Sequence, residues 1–461
     1  MKDHYDIAVI GAGPAGMSAA SLAAAHGACV VLLDEQMGPG GQIYRDISRQ
    51  KAADLTILGS DYYRGKVLVD RLAASAVEHV KGASIWQVSA ELEIGLTVNG
   101  VAHLITAKHI IIATGAQERP FPVAGWTLPG VMNAGAAQIL LKSSGIVLPD
   151  PIFVGSGPLL YLIAYQYLRA GIKIKAVLDT TPRSNFSASL RPLVASFRQI
   201  GQLWKGIGWL RELRRSGTDF VRAVEDVRII GTDAVTGVEY KKKGTWQQLG
   251  TDTVLLHQGV VPNINLAMAA GCVHHWSEMQ LCWNAAVDDL GHSSVDGISI
   301  AGDGVSIMGA DGAETLGQLA AIGALQKLCK LDPHTCLRLA EPLLDIQSRR
   351  APFRRFVDTL YRPAAQFLHP ADETTVVCRC EEVTAGEIRE AVRLGCKGPN
   401  QLKSFTRAGM GPCQGRFCGL TVSTMIANEL NLPVSEVGAI RVRAPVKPLE
   451  LGQLADLCSL E

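Results

Sequence analysis

The sequence has almost no excess of charge of either sign, and it has few aromatic residues. Its 461 residues include 44 Lys and Arg against 43 Asp and Glu, which gives a formal net charge of +1, and only 6% of the residues are aromatic. A chain with so little net charge has no general electrostatic attraction toward polyanions. We therefore expect neither nucleic acid nor an acidic membrane surface to be its main partner.

The sequence also lacks an uninterrupted apolar run that could cross a membrane. Residues 15–33 are nearly uncharged, but His26 and Gly27 interrupt them, and the composition changes there from Ala-rich to Val- and Leu-rich. That change favours a helix followed by a strand over a single span. An apolar stretch already begins at Ile7, before a basic leader region could act, so no signal peptide is expected. We predict a cytoplasmic protein without a transmembrane segment, associated with a membrane only through a partner.

Cysteine is present in an odd number, and no two cysteines form a Cys-x-x-Cys motif. Eleven cysteines in a long chain make a poor disulfide framework. The absence of Cys-x-x-Cys excludes the dithiol chemistry of disulfide reductases. Most of the scattered cysteines are predicted to be reduced, buried thiols: Cys29, Cys272, Cys282, Cys329, Cys336 and Cys396. Cys458 lies in the C-terminal tail, and the remaining four are clustered.

Apolar residues and glycine are abundant. Hydrophobic residues make up 48% of the chain and the mean hydropathy is +0.17, which excludes a disordered or fibrous protein. The length suggests about three domains of roughly 150 residues each. The 47 glycines are typical of the tight turns and close backbone approaches that nucleotide-binding α/β proteins need.

A glycine-rich turn lies near the N-terminus, between a predicted strand and a predicted helix. Residues 5–10 indicate a buried strand, GAGPAG follows, and an Ala-rich helix leads to a second strand, CVVLLD. Gly11, Gly13 and Gly16 have the spacing that permits a tight turn, the approach of a pyrophosphate and close helix packing, in that order. Asp34 ends the second strand, where a carboxylate can bind ribose hydroxyls. These features predict a dinucleotide site.

Three further segments have the pattern expected around such a site. GPGGQIYR follows the acid, and its glycine pair can bring the backbone against a flat ligand, although an ordinary turn explains it as well. HIIIATG and, much later, GISIAGD each indicate a strand that ends in small residues. The candidate cofactor-binding residues in these segments are Gly41, Gln42, Ala113, Thr114, Gly115, Gly302 and Asp303.

A second strand–glycine–helix unit lies between these segments. It reads PIFVGSGPLLYLIAYQYLRAG and then IKIKAVLD, so Gly155 and Gly157 repeat the turn and Asp179 repeats the terminal acid. Leu160 stands where a third glycine would allow the helix to pack closely. These residues leave open whether the unit holds a nicotinamide nucleotide, another adenine nucleotide or no ligand.

This set of motifs resembles the two-dinucleotide-binding-domain flavoproteins over about residues 5–325. The resemblance implies an α/β fold with two Rossmann-like domains, the second inserted in the first. It also implies that the three glycines and Asp34 hold the ADP half of FAD, that residues 113–115 close over the cofactor, and that Asp303 bonds its ribityl or pyrophosphate region. The second domain of that family binds NAD(P)H, and Leu160 departs from its pattern.

The four clustered cysteines form two short motifs late in the chain. Cys378 and Cys380 form Cys-x-Cys, Cys413 and Cys418 are separated by four residues, and 32 residues lie between the two motifs. Four thiolates can hold one zinc ion, for which Cys-x-Cys is a tight spacing, or a [2Fe–2S] cluster with two thiolates at each iron. Unliganded thiols are the third alternative.

The surroundings of these cysteines favour the [2Fe–2S] cluster. An oxidised cluster with four thiolates carries a charge of about −2, and three arginines lie nearby in the sequence: Arg379, Arg407 and Arg416. Four glycines allow backbone N–H groups to approach sulfur: Gly409, Gly411, Gly415 and Gly419. A helix is predicted to begin near Leu420, with its positive end toward the cluster.

The stretch CRCEEVT…TRAGMGPCQGRFC resembles the bacterioferritin-associated-ferredoxin-like [2Fe–2S] module. With the flavoprotein part, nearly the whole chain resembles the larger subunit of heteromeric flavin-dependent amine dehydrogenases, such as opine oxidase, hydrogen cyanide synthase and hydroxyproline dehydrogenase. The domains are predicted as residues 1–117 and 256–330 for FAD, 118–255 for the NAD(P)-binding-like domain, 331–372 for a linker and 373–461 for the [2Fe–2S] module.

The family implies a division of labour between subunits. An amine-oxidase-like FAD subunit would oxidise an opine, a D-amino acid or a hydroxyproline-type amine, and electrons would pass through flavin and the cluster of this chain to a quinone or another carrier. FMN at a subunit interface and a small third subunit belong to the same implication. Because cofactors carry this chemistry, we assign no catalytic residue to the chain.

Two other functions are left open. A self-contained NAD(P)H-dependent flavin and iron–sulfur reductase, feeding a ferredoxin or an oxygenase, would need the second unit as a hydride-donor site. A non-enzymatic iron–sulfur redox sensor is the other, and the retention of both halves of the FAD motif argues against it. Reduction of the flavin by NADH or NADPH alone separates the first of these from the dehydrogenase subunit.

Overall fold

The structure is a computed structural model that describes residues 1–49, 55–195 and 199–457, so that Cys458 lies outside the described residues. Its first elements are β1 (His4–Ile10), α1 (Pro14–Ala25), β2 (Val30–Asp34), α2 (Leu55–Leu58), α3 (Ser60–Tyr63), α4 (Gly65–Ala73), β3 (Glu78–Lys81), β4 (Ser84–Val88), β5 (Glu93–Val98), β6 (Val101–Ile112), β7 (Ala116–Glu118) and β8 (Val131–Asn133). The next are α5 (Ala134–Ser144), β9 (Ile152–Ser156), α6 (Pro158–Arg169), β10 (Ala176–Asp179), α7 (Arg183–Ala188), α8 (Leu190–Ala195), α9 (Ile200–Arg215), β11 (Asp219–Arg222), β12 (Asp226–Gly231), β13 (Val235–Lys242), β14 (Thr245–Gly250), β15 (Val254–Gln258) and β16 (Val260–Pro262). The last are α10 (Asn265–Ala269), β17 (His274–Ser277), β18 (Cys282–Ala285), β19 (Ile298–Ile300), α11 (Ala310–Lys327), α12 (Pro333–Leu360), β20 (Val376–Cys378), β21 (Val383–Thr384), α13 (Ala385–Arg393), α14 (Pro399–Thr406), α15 (Gly419–Leu430), α16 (Val434–Val437) and α17 (Leu451–Leu457).

The first sheet has seven strands in the order β3-β2-β1-β6-β5-β4, with β19 also paired to β6. The parallel part of this sheet consists of β3, β2, β1, the C-terminal half of β6 and β19. The N-terminal half of β6 forms an antiparallel meander with β5 and β4. β2 is buried along its whole length, which explains its continuous apolar sequence. The carboxyl ends of β1, β6 and β19 meet at one edge, so the three small-residue segments that follow them lie together.

The second sheet has five parallel strands in the order β11-β10-β9-β15-β8. The chain leaves the first domain along β7 and returns along β16, and these two strands pair antiparallel, with Ala116 opposite Pro262. The second Rossmann-like unit is therefore inserted in the first, and the predicted α/β fold class is confirmed. β15 stays in the second sheet as far as Gln258, so the predicted boundary at 255/256 lies inside a strand, and we propose the β16 crossing as the better division.

The helices α1 and α11 pack together over the first sheet. A Cβ atom on Gly317 of α11 would lie 2.1 Å from the Ala15 carbonyl oxygen of α1, so glycine is what permits the close contact. The predicted linker consists largely of the 28-residue helix α12, which packs on α11. Its start is stabilised by Asp332, whose side chain accepts a hydrogen bond from the Thr335 N–H, and by Pro333 in the first turn.

The C-terminal module has a hydrophobic core of its own, built from β20, β21, α13, α14 and α15. Thr384 and Glu387 form a capping box that begins α13. α15 begins at Gly419, one residue before the predicted start. Beyond this module the chain returns to the first domain, where the Val446 N–H donates to the Trp86 carbonyl oxygen at 2.8 Å.

Among the described residues, every helix is too short or too polar to span a bilayer.

Candidate cofactor sites

Two glycines of the first turn are required by close backbone contacts. Gly11 has φ +104°, and a Cβ atom there would lie 2.5 Å from the Ala113 carbonyl oxygen. A Cβ atom on Gly16 would lie 1.7 Å from the Gly11 carbonyl oxygen. The first contact brings the end of β1 against the end of β6, and the second lets α1 begin against β1. No side chain caps the N-terminus of α1, which leaves its first N–H groups available to an anionic ligand.

Gly13 lies directly against the second glycine-rich loop. Gly41 has φ +60°, and a Cβ atom on it would lie 2.8 Å from the Cα of Gly13, whereas one on Gly13 would lie 3.9 Å from the Cα of Gly41. The Gly40 N–H also donates to the Ala12 carbonyl oxygen at 2.8 Å. The GPGGQ loop therefore packs directly on the turn, and a side chain on Gly41 would collide with Gly13.

Asp34 is buried at the end of β2, and backbone N–H groups fix its carboxylate. Oδ2 accepts a hydrogen bond from the Ala12 N–H, and Oδ1 accepts one from the Gln36 N–H at 2.6 Å. An ionised carboxylate has about four acceptor positions, so two remain for ribose hydroxyls. The carboxylate is thus oriented before any ligand binds.

The segments after β6 and β16 are joined beside this turn. The Thr114 hydroxyl donates to the Asn263 carbonyl oxygen at 3.1 Å, and the Asn263 N–H donates to the Gly115 carbonyl oxygen at 2.9 Å. The Ala113 N–H bonds the Ile10 carbonyl oxygen at 2.8 Å. The predicted 113–115 segment is therefore fixed against both β1 and the strand that returns from the second domain.

Gly302 and Asp303 lie at the same edge, after β19. Gly302 has φ +68°, and a Cβ atom there would lie 2.7 Å from the Cβ of Ala15 in α1. Asp303 Oδ1 accepts hydrogen bonds from the N–H groups of Met308 at 2.7 Å and Gly309 at 3.0 Å, and burial raises the pKa of this carboxyl group. Part of the role of Asp303 is therefore to shape the loop before α11, in addition to the predicted contact with the cofactor.

Lys142 is a residue of this site that the sequence motifs did not indicate. It is buried in α5 of the second domain, and its Nζ donates to the carbonyl oxygens of Gln42 at 3.1 Å and Ile43 at 2.9 Å and to Gln138 Oε1 at 3.0 Å. Burial lowers the pKa of Lys142 to about 7. A lysine inside an Ala- and Leu-rich helix gives no motif, so only the packing of the two domains identifies it.

The second glycine unit has the expected turn, but its acidic residue is bonded inside the protein. Gly155 and Gly157 have φ values of +140° and +116°. The Asp179 carboxylate, however, is buried, bonds the Tyr161 hydroxyl, and accepts from the Thr181 N–H at 2.9 Å, and burial raises its pKa. A group in this environment is directed into the protein rather than toward a ribose.

Two other side chains of the second unit occupy space beside its turn. Leu160, where the third glycine was expected, is fully buried in the hydrophobic core. The ring of His257 lies 3.8 Å from the position of a Cβ atom on Gly157, and its Nδ1 is 2.6 Å from Glu118 Oε1. A separate cavity of about 380 Å³, lined in part by Arg183 and Lys243, opens beyond the ends of β10 and β11.

The four clustered cysteines come together as two pairs. The Sγ atoms of Cys380 and Cys413 lie 3.6 Å apart. The thiol of Cys418 donates a hydrogen bond to the sulfur of Cys378. This bond, together with backbone N–H groups such as that of Gly409, lowers the pKa of Cys378 to about 6. The same contact raises the pKa of Cys418. Each pair joins one cysteine of the first motif to one of the second.

The surroundings of the cysteines differ in part from the prediction. A Cβ atom on Gly411 would lie 2.2 Å from the Cβ of Cys380, so this glycine does permit close approach to a cysteine. The Arg379 guanidinium, however, lies over the ring of Trp126, 5.3 Å from its centroid, and Arg407 Nε bonds Glu381 at 2.9 Å. Within the described residues, no three His, Cys, Asp or Glu side chains are arranged to hold a metal ion.

Comparison with known proteins places this geometry in a family. The family described as pyridine nucleotide-disulphide oxidoreductase matches residues 5–194, and the sarcosine oxidase A3 domain matches residues 372–457. An opine oxidase subunit of Rhizobium meliloti is 43% identical over 466 residues, which cover 99% of this chain and 88% of that protein. The chain belongs to the family of this opine oxidase subunit.

More distant relatives also match nearly the whole length of this chain. Hydrogen cyanide synthase subunit HcnB of Pseudomonas aeruginosa is 30% identical, over 97% of this chain and 98% of that protein. The crystal structure of L-proline dehydrogenase from P. horikoshii has the same fold, with a TM-score of 0.70 and 19% identity over 98% of this chain and 79% of that one. The membership predicted from the motifs is confirmed, and the match to the oxidoreductase family indicates FAD as a cofactor.

Proposed function

We propose that this chain is the FAD- and [2Fe–2S]-containing subunit of a heteromeric dehydrogenase that oxidises an opine, a D-amino acid or a hydroxyproline-type secondary amine. Support comes from relatives whose names describe subunits of opine oxidase and hydrogen cyanide synthase and from a domain named after sarcosine oxidase. An amine-oxidase-like FAD subunit would bind the substrate, and a quinone or another carrier would accept the electrons.

One observation carries the proposal: the four cysteines form two thiol pairs on a module that contacts the FAD-binding domain. A [2Fe–2S] cluster takes two thiolates at each iron, so an arrangement of the four thiols in two pairs suits it. Cys380 with Cys413 would bind one iron, and Cys378 with Cys418 the other. When bound, FAD supplies two-electron chemistry and the cluster one-electron chemistry.

The residues of the first unit fit FAD and perform binding and orientation. A pyrophosphate would lie in front of the uncapped N-terminus of α1, beside the contact between Gly13 and Gly41, and Asp34 is oriented for ribose hydroxyls. The proposed FMN and the small third subunit rest on the family alone, because an interface cofactor would need residues from more than one chain.

A self-contained NAD(P)H-dependent reductase is the competing function, and the second unit argues against it. A bound nicotinamide nucleotide would have to displace Tyr161 and Thr181 from Asp179 to reach that acid with its ribose. We therefore expect electrons to enter the chain from a partner protein rather than from NADH or NADPH.

The direct test uses the purified chain with and without an adjacent amine-oxidase-like gene product. Anaerobic absorbance spectra are recorded after addition of an opine, a D-amino acid or hydroxyproline, with each of the two proteins on its own as the control. We expect the flavin of this chain to be reduced only when partner and amine are both present, and a soluble quinone to restore the oxidised spectrum. Rapid reduction of the isolated chain by NADH or NADPH would instead establish the reductase.

A further inference from the structure

We propose that Gln117 and Asn265 are positioning residues that hold the cysteine loop, residues 413–418, against the FAD-binding domain and so determine how fast electrons pass between the two centres of this chain. The inference rests on the proposed function, since it assumes that both centres are present. It concerns two amide side chains that belong to no cofactor motif.

Both amides donate to carbonyl oxygens inside the cysteine loop. Gln117 Nε2 lies 2.8 Å from the Arg416 carbonyl oxygen, and Asn265 Nδ2 lies 3.3 Å from the Gln414 carbonyl oxygen. The two accepting residues stand between Cys413 and Cys418, so the bonds act on the backbone that carries two of the four thiols. A shift of this loop would move those sulfur atoms with it.

The two amides come from the segments that close the predicted FAD site. Gln117 follows Gly115 by two residues in β7, and Asn265 follows Asn263 by two residues at the start of α10. The same segments are joined to each other by the bonds between Asn263 and residues 114 and 115. The same two segments thus close the predicted FAD site through residues 114, 115 and 263 and contact the cysteine loop through Gln117 and Asn265.

The cysteine loop is also fixed from its other side. The Gln414 side chain accepts from the Arg443 N–H at 3.2 Å and donates to the Pro445 carbonyl oxygen. Ile440 packs so closely on Gly415 that a Cβ atom there would lie 2.7 Å from its Cδ1. The cleft between the loop and the FAD-binding domain encloses only about 50 Å³, so the amides act across a direct contact.

The loop needs this external support because part of its backbone is unfavourable. Gln414 has φ +48°, a left-handed conformation that residues other than glycine adopt at a cost, and Gly415 follows with φ +76°. Conformations of this kind persist when surrounding bonds stabilise them. Removal of the two amide donors should therefore let the loop open locally without unfolding the module.

Electron flow between the centres depends on a fixed separation. Reduced flavin releases two electrons and two protons; the protons pass to solvent, and the electrons pass singly, each reducing one iron of the cluster before the quinone-class acceptor removes it. Because the rate of such transfers falls as the separation of the two centres grows, a displaced loop is expected to slow them severalfold.

The test compares Gln117→Met, Asn265→Leu and the double variant with wild type in the assembled complex. These changes keep side-chain size but remove the donors. Asn185→Leu is the matched control, since Asn185 Nδ2 also donates to backbone carbonyl oxygens, those of Leu360 and Arg362, on a different part of the surface. FAD, iron and sulfide are quantified first, then hydrogen exchange of residues 411–419, and then the rate at which amine-reduced flavin reduces the cluster.

We expect each single variant to keep its cofactors and its rate of flavin reduction, and to exchange about fivefold faster in the loop, as the loss of one hydrogen bond implies. Transfer to the cluster should slow severalfold in the double variant, while Asn185→Leu matches wild type. Wild-type exchange and transfer in variants with full cofactors would overturn the inference. If the double variant loses iron, the single variants decide by the same two readouts; wild-type protein without iron and sulfide would overturn the proposed function itself, and the inference with it.

Discussion

The Sγ atoms of Cys380 and Cys413 lie 3.6 Å apart, although 32 residues separate the two motifs to which they belong. The second pair, Cys378 and Cys418, joins the same two motifs. Each iron of a two-iron cluster would therefore be held by one cysteine from each of the two cysteine-bearing segments.

Replacement of any one of these four cysteines by serine should remove the cluster. Each thiolate supplies one of only two protein ligands to its iron, so the loss of one should release the centre. We expect wild type to contain about two irons and two labile sulfides per chain and each variant to contain far less, with loss of the brown colour and of the paramagnetic signal of the reduced state. FAD should remain, because it binds in a separate domain.

The matched control is Cys396→Ser. Cys396 is buried in the same module, but its thiol donates to the Gly398 carbonyl oxygen at 3.3 Å, a bond that a serine hydroxyl can also make. This variant should keep iron and sulfide. One zinc per chain without sulfide in wild type would mean that the module is structural.

Gly13→Val should release FAD. The nearest backbone atom to a Cβ at this position is the Cα of Gly41 at 3.9 Å, so the protein itself has room for one carbon. A branched side chain, however, would extend into the space before α1 that we propose for the pyrophosphate. Flavin absorbance and extractable FAD should fall to near zero, while far-ultraviolet circular dichroism stays unchanged.

Gly206→Val serves as the control for added bulk. Gly206 lies in α9, and a Cβ atom there meets nothing within 4 Å. This variant should retain its flavin. Full FAD content in Gly13→Val would remove Gly13 from the cofactor site.

Much of the first domain could be predicted from the sequence because its signals are local. The glycines of the turn after β1 are close together in the sequence, and Gly16 contacts Gly11 directly, although Gly11 also contacts Ala113 at the end of β6. Asp34 accepts hydrogen bonds from backbone N–H groups, which any sequence provides. The insertion of the second unit followed from the order of repeated motifs, and strands β7 and β16 confirm it.

What could not be predicted depends on contacts between segments that are distant in the chain. The bonds of Lys142 to residues 42 and 43 cross from the second domain to the first, and Gln117 reaches Arg416 over 299 residues. Every residue has a backbone carbonyl group, so the sequence does not show which residues accept these hydrogen bonds. Most of the segment predicted as a linker is the helix α12. The sequence did not show this long helix because Pro342 and Pro352 lie inside it and its apolar periodicity is weak.

Lys142→Met should weaken FAD binding without removing the glycine turn. The change removes the donors to the carbonyl oxygens of Gln42 and Ile43, so the GPGGQ loop should lose its fixed position over the turn. Below its pKa of about 7, at about pH 6, Lys142 is mostly charged. Hydrogen bonds from a charged group contribute about 1.5–3 kcal/mol, so at that pH we expect the FAD dissociation constant to rise by roughly 10- to 100-fold.

Reconstitution of the flavin-free protein with FAD, followed by fluorescence quenching, measures this constant. Lys205→Met is the control, because Lys205 is a partly exposed lysine that pairs with Asp61 at 2.7 Å in α3. Its dissociation constant should match that of wild type. Equal affinities in both variants would show that the loop does not need Lys142.

NADH and NADPH alone should leave the flavin of this chain oxidised. The acid that would bind the ribose, Asp179, is buried and bonds Tyr161 and Thr181, and burial raises its pKa. Leu160 fills the position where a glycine would let the helix approach, and His257 occupies the space beside Gly157. Anaerobic absorbance at the flavin band should therefore remain constant for minutes after either nucleotide is added, whereas dithionite should bleach it and prove that the flavin is reducible. Fast bleaching by either nucleotide, without a partner protein, would show that the second unit binds a hydride donor despite these contacts, and that this chain reduces its flavin by itself.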